Sequence, residues 1–121
     1  MWKVSFDPDR QLLLLRLTEH VDTSTMRKLA RAHARALEAT AGRTFRVMID
    51  LRGLHPMEEE AVALFSKVKH VAAATSGYSG CAILTDSPTV AMQQHRTRVD
   101  ADASEMITMD EDDVLRFVDS G

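Results

Sequence analysis

The sequence predicts an α/β fold: a mixed five-stranded sheet in the order β-β-α-β-α-β-α-β-α, layered with helices. Three observations carry this. The stretch Phe45 to Glu60, FRVMIDLRGLHPMEEE, reads as a buried strand that ends on an acid, crosses a short turn and enters a helix at a proline. Strand and helix patterns then alternate through the rest of the chain. The chain also opens on two strand patterns split by a proline turn. Strands joined through helices pair in parallel by right-handed crossovers. The opening pair is therefore the one antiparallel edge.

Each element has a local reason. Trp2, Val4 and Phe6 alternate with Lys3 and Ser5, the period of a half-buried strand. Asp7-Pro8-Asp9 is a turn, because proline presets φ and the acids bind nearby amides. Gln11 to Leu17 follows as a strand whose four consecutive leucines suggest burial on both faces. Asp22, Thr23 and Ser24 offer caps for a helix. Met26, Leu29, Ala30, His33, Leu37 and Thr40 recur at helical spacing, and Ala41-Gly42 ends it. Phe45 to Leu51 is the third strand. Pro56 suits a first helical position, and Glu58, Glu59 and Glu60 suit the positive end of a helix dipole. Met57, Ala61, Leu64, Phe65, Val68 and Ala72 give that helix its buried stripe, and the turn after it is placed at Gly77 or Tyr78-Ser79-Gly80. Cys81 to Thr85 is a short apolar strand. Ser87 caps and Pro88 begins the next helix, with Met92, His95 and Val99 inward. Glu105 to Met109 is the last strand, and Asp110 caps a helix carrying Val114, Leu115, Phe117 and Val118.

A chain of 121 residues suits one domain, residues 1–121. At this size about two-thirds of the unfolded surface can be buried, so no disulfide or metal is needed. The net charge of −3 gives no general attraction to nucleic acid or anionic membrane. Cys81 is the only cysteine, which fits a reducing cytoplasm. No apolar run approaches the roughly 20 residues that span a bilayer, and MWKVSFDPDR lacks the apolar core of a signal peptide.

In open parallel sheets, ligands sit beyond the carboxyl ends of the strands. Those ends supply Asp50, Arg52, His55, Thr85, Asp86 and Ser87. Two readings stand. The residues line a ligand cleft, or Asp50 holds the turn and Ser87 only caps a helix. An enzyme here would use Asp50, His55 and Ser87. No glycine-rich phosphate loop occurs. The five histidines, His20, His33, His55, His70 and His95, fall in separate elements, with no H-x-x-x-H or C-x-x-C spacing, so neither metal nor cofactor is expected. Cys81 opens a buried strand and Ser87 lies outside any G-x-S-x-G, so no nucleophile stands out. Arg27, Arg31 and Arg35 form a stripe on the first helix that reads as a solvated face. The seven methionines read mostly as core filling.

From Phe45 to Phe65 the chain resembles the STAS domain. The likeness lies in a strand ending at Asp50-Leu51, Gly53, an apolar Leu54 and a helix a few residues later. Ala82 to Pro88, AILTDSP, and the acidic start of the last helix resemble the related SpoIIAA-like group, whose fold is shared with the CRAL-TRIO lipid-binding domain. The resemblance implies a regulatory domain that binds a protein partner. STAS antagonists carry an Asp-Ser pair at the start of the second helix, and a partner kinase phosphorylates that serine. The corresponding stretch here is Glu58-Glu59-Glu60, without a hydroxyl, so a partner surface there is permanently acidic. That surface is expected to expose Glu58, Glu59, Val62, Ser66 and Lys69, with Val62 an apolar residue on a polar face. Self-association as a homodimer is a further possibility. The CRAL-TRIO kinship and the methionines give a second reading, a carrier of a small apolar ligand. A phosphate-accepting receiver also ends a strand on Asp and the next on Thr, but it needs an acidic pair for magnesium that this chain lacks.

Overall fold

The computed structural model describes residues 1–99 and 105–119. Strands β1 (Trp2–Asp7) and β2 (Leu12–Leu17) precede helix α1 (Thr23–Glu38), followed by β3 (Phe45–Asp50), α2 (Glu59–Ala73), β4 (Tyr78–Leu84), α3 (Pro88–Arg96), β5 (Glu105–Thr108) and α4 (Glu111–Asp119). The five strands lie side by side in chain order. β1 and β2 are antiparallel, and the other neighbouring pairs are parallel. This is the mixed sheet with one antiparallel edge that the sequence predicts.

Chain-order strands have a consequence for the layers. Right-handed crossovers that step in one direction put their helices on one face. α1 packs on α2 and α2 on α3, whereas α4 contacts β4 and β5. The alternation within each strand follows. Leu13, Leu15 and Leu17 join Val47, Ile49 and Ile83 in the main core with Met26, Leu29 and Phe65. Leu12, Leu14, Met48 and Leu84 point the other way and line a hollow with Val114, Leu115 and Val118 of α4. The leucine run is therefore shared between two faces, although Leu14 is only half-buried.

The caps at Asp22 and Ser87 form as their residue types require. Asp22 accepts the Thr25 N–H at 2.7 Å, and Ser87 Oγ accepts that of Val90 at 3.2 Å. Pro88 occupies the first turn of α3. Asp110 accepts the Asp112 N–H at 2.9 Å where α4 begins.

Five expectations need correction. First, α2 begins at Glu59, not Pro56. The chain instead turns at residues 51–54 and bridges to Glu19, just past the end of β2: Glu19 N–H donates to Gly53 O, and His55 N–H to Glu19 O, both at 2.8 Å. The Gln93 side chain then takes both polar groups of the Met57 peptide, at 3.1 and 2.8 Å. These partners hold residues 55–57 outside the helix, a tendency His55 shares because it precedes a proline.

Second, Tyr78, Ser79 and Gly80 belong to β4 rather than to a turn. Gly77, at φ +95°, makes the turn. Third, α3 buries Val90, Gln93 and Gln94, while Met92 and His95 are exposed. Two glutamines on the inner face hide its periodicity. Fourth, Val62 and Lys69 are buried, because α2 lies between α1 and α3 and is covered on more than one stripe. Fifth, only Met26 and Met57 of the methionines are core residues; Met48 and Met106 are half-buried, and Met1, Met92 and Met109 are exposed.

Candidate functional site

The end of β3 is built around Asp50. Its register partner on β2 is Arg16, and the two side chains form an ion pair. Arg52 adds three contacts to the same carboxylate: its N–H at 3.1 Å, Nε at 3.0 Å and Nη2 at 2.9 Å. Burial works against charge on Asp50, but the bonds from Arg52 and the charges of Arg52 and Arg16 outweigh it and hold the carboxyl below the ordinary value. Arg52 also lies 3.8 Å from Glu111 of α4. Asp50 therefore joins β2, β3 and the turn beyond. Arg16 was missed in the sequence; a lone cation in a run of leucines was the available signal.

Asp86 performs a second fixing step. Its carboxylate accepts the Gly53 N–H at 3.0 Å, tying the β4–α3 turn to the segment after β3. Thr85 is buried, and its Oγ1 accepts the Ser87 N–H at 3.1 Å. Ser87 caps α3. The His55 side chain is exposed, and only its backbone joins the Glu19 bridge. Among the described residues no hydrogen bond links the side chains of Asp50, His55 and Ser87. Asp50, Arg52, Thr85, Asp86 and Ser87 all have partners within the turns they organise.

The start of α2 differs. Glu58 occupies the cap position in extended conformation, and its side chain makes no capping bond. Glu58, Glu59 and Glu60 are all exposed. Beside them, between α2 and α3, lies a groove of about 420 Å³ lined by Glu59, Val62, Ala63, Gln93, Arg96 and Thr97. Val62 thus forms groove floor rather than open surface. Ser66 is half-buried, with its hydroxyl 3.4 Å from Thr97 O. Lys69 turns inward to Glu105, Nζ to carboxylate at 3.5 Å. Of the residues expected to form one exposed face, Glu58 and Glu59 do so. Arg96 and Thr97 are groove residues that sequence periodicity did not single out.

The interior bears on carriage of an apolar ligand. The void among Leu15, His33, Val47, Lys69, Tyr78, Cys81 and Glu105 is about 10 Å³. Small-molecule sites run to roughly 300 Å³ or more. Burial raises the Cys81 thiol pKa and keeps it protonated. Among the described residues no cluster of His, Cys, Asp and Glu is placed to hold a metal ion, and no helix is long and apolar enough to cross a membrane.

No protein-family model and no curated protein matches the chain. A solved structure does: the Bacillus cell fate determinant SpoIIAA in its phosphorylated form. It aligns over 97% of this chain and 99% of that one, with a TM-score of 0.62 and 16% identity. The chain therefore has a SpoIIAA-like, STAS-type fold.

Proposed function

We propose that this STAS-type domain is a non-enzymatic binding module that takes a protein partner at the start of α2, without a phosphoserine switch. One observation carries the reading: Glu59, flanked by the exposed Glu58 and Glu60, lines the α2–α3 groove, with Val62 and Ala63 in the groove and Arg96 on its border. A concave site with apolar floor and charged rim is suited to an inserted side chain from another protein. The positive end of the helix favours permanent acids there. Residues 58–60 offer no hydroxyl to a kinase, so the surface is charged without modification. The fully buried thiol is compatible with a cytoplasmic setting.

The test places a photo-reactive side chain at Ala63, which is exposed. Irradiation in cells should give a discrete protein adduct that Glu59→Lys removes while circular dichroism and thermal midpoint stay unchanged. Adducts as abundant from a control position on α4, or none from position 63, would overturn the reading. So would phosphate on residues 58–60 after incubation with kinase and ATP.

A further inference from the structure

We propose that the outer edge of β1 pairs antiparallel with β1 of a second copy, about a twofold axis at Ser5, so that two sheets join into one. This goes beyond the partner reading above and does not depend on the α2–α3 groove.

β1 ends the sheet, and among the described residues β2 alone pairs with it. The hydrogen bonds to β2 fix what the outer side offers. Met1 and Thr18 exchange both backbone bonds, at 2.9 and 3.1 Å. Bonded and non-bonded pairs alternate along an antiparallel ladder. Lys3, Ser5 and Asp7 therefore turn their peptide groups toward β2, and Trp2, Val4 and Phe6 turn theirs outward. Such a row of unmet donors and acceptors is a template for another strand, which proteins blunt with prolines, bulges or charges. β1 runs in unbroken register for six residues with no proline. Of those devices it carries only the charges of Lys3 and Asp7.

The register decides the occupant. In a twofold strand pair residue i meets j and j meets i. Outward peptide groups must meet outward peptide groups, so even positions pair with even ones. With the axis at Ser5, Val4 bonds Phe6 of the second copy, and Phe6 bonds its Val4. Lys3 then stands opposite Asp7, and Asp7 opposite Lys3. Both are non-bonded pairs, where Cα atoms are about 4.5 Å apart and side chains lie closest. Opposite charges attract there, so the two residues that guard a lone edge become complementary. On the helix-side face, Val4 and Phe6, half-buried against the core, become neighbours across the axis. Pro8 has no N–H to offer Trp2, so the pairing stops there. An axis at Val4 instead sets Lys3 against Ser5 and loses both charge pairs.

The helix layer leaves room for this joint. α1 packs on β1, and an axis normal to the sheet brings the two α1 helices side by side. Arg27 of α1 reaches Glu60 of α2 and marks the flank that faces α2. At about 3.6 residues per turn, the opposite flank carries Thr25, Ala32 and Ala36, all half-buried. These short side chains let the helices approach above the joined edges. α2 lies between α1 and α3, so each copy keeps its α2–α3 groove open.

The test combines analytical ultracentrifugation of the intact chain with disulfide trapping at Ser5→Cys. Position 5 meets its own copy across the axis at a spacing that a disulfide spans. Cys81 is buried and supplies no competing thiol. Mild oxidation should turn Ser5→Cys into a covalent dimer with an unchanged circular dichroism spectrum. Val4→Cys, on the other face and off the axis, should stay unlinked. Val4→Pro removes an outward N–H but no bond to β2, so it should give a folded monomer. Lys3→Glu sets acid against acid at both ends and should weaken dimerisation roughly tenfold. A wild type that stays monomeric at high concentration would overturn the pairing. So would Ser5→Cys chains that stay unlinked, Val4→Cys chains that link in their place, or a dimer indifferent to Val4→Pro. None of these outcomes touches the groove, whose reading stands or falls on the adduct from position 63.

Discussion

Lys69 of α2 and Glu105 at the start of β5 form an ion pair at 3.5 Å, and both side chains are almost wholly buried, at 2% and 0% exposure. Burial drives Lys69 toward a lower pKa and Glu105 toward a higher one, while each charge opposes the shift in the other. A contact this long recovers little of the desolvation cost. Lys69→Met alone leaves a buried carboxylate and should cost about 3 to 5 kcal/mol. The double variant Lys69→Met, Glu105→Leu should recover most of that loss. Urea denaturation of the set decides; a double variant as unstable as the single one would show the pair to be favourable in itself.

His33 makes stability depend on pH. Its burial lowers the pKa from 6.5 to about 4. Between these values the unfolded chain binds more protons, so stability falls as pH falls. The loss should approach about 3 kcal/mol by pH 4. Glu105, raised by burial, slopes in the opposite sense above its unfolded value, so His33→Leu is needed to isolate the effect. Denaturation of both proteins between pH 7 and pH 4 should show a flatter curve for the variant.

Asp50→Asn removes the charge that holds Arg16 and Arg52. The expected loss is about 2 kcal/mol. Because the native carboxyl is held low, its stabilisation is present above the ordinary value near 3.8 and lost as pH falls through the native one. The variant should therefore lose part of its acid-unfolding limb. Hydrogen exchange should quicken at the Arg52 amide, which Asp50 accepts, and less at distant β1.

Two glycines separate strain from space. Gly53 has φ +79° with open surroundings, so Gly53→Ala should cost about 1 kcal/mol. Gly77 has φ +95°, and a Cβ there would fall on the Arg43 carbonyl oxygen. Gly77→Ala should cost about 3 kcal/mol or more, because backbone must move. Equal thermal midpoints for the two would contradict this.

Val62→Lys should unfold the protein rather than selectively block association. Val62 is 6% exposed, and an uncompensated charge there should cost more than about 2 kcal/mol. Ala63→Arg, at an exposed position in the same groove, should block binding with a near-native thermal midpoint. A stable Val62→Lys protein would show that the α2–α3 packing opens readily.

The fold class was legible because its signals are local. Alternating apolar residues specify the early strands, Asp22 and Ser87 cap the helices they precede, and the crossover rule orders the sheet. What failed depended on neighbours distant in sequence. Pro56 carries a helix-start signal, but Glu19 and Gln93 claim the backbone of residues 53–57 before a helix can form. Val62 and Lys69 read as one polar face because periodicity describes one buried stripe, whereas α2 has helices on both sides.

The candidate site divides the same way. That a carboxylate ends β3, and that residues 58–60 are acids without a hydroxyl, follows from the sequence alone. That Asp50 is neutralised by Arg16, that Asp86 is engaged by Gly53, and that Glu59 borders a groove with Arg96 was decided only by tertiary structure. Hydrogen bonds and ion pairs act over a few ångströms, and only the folded chain brings residues more than 30 positions apart within that range.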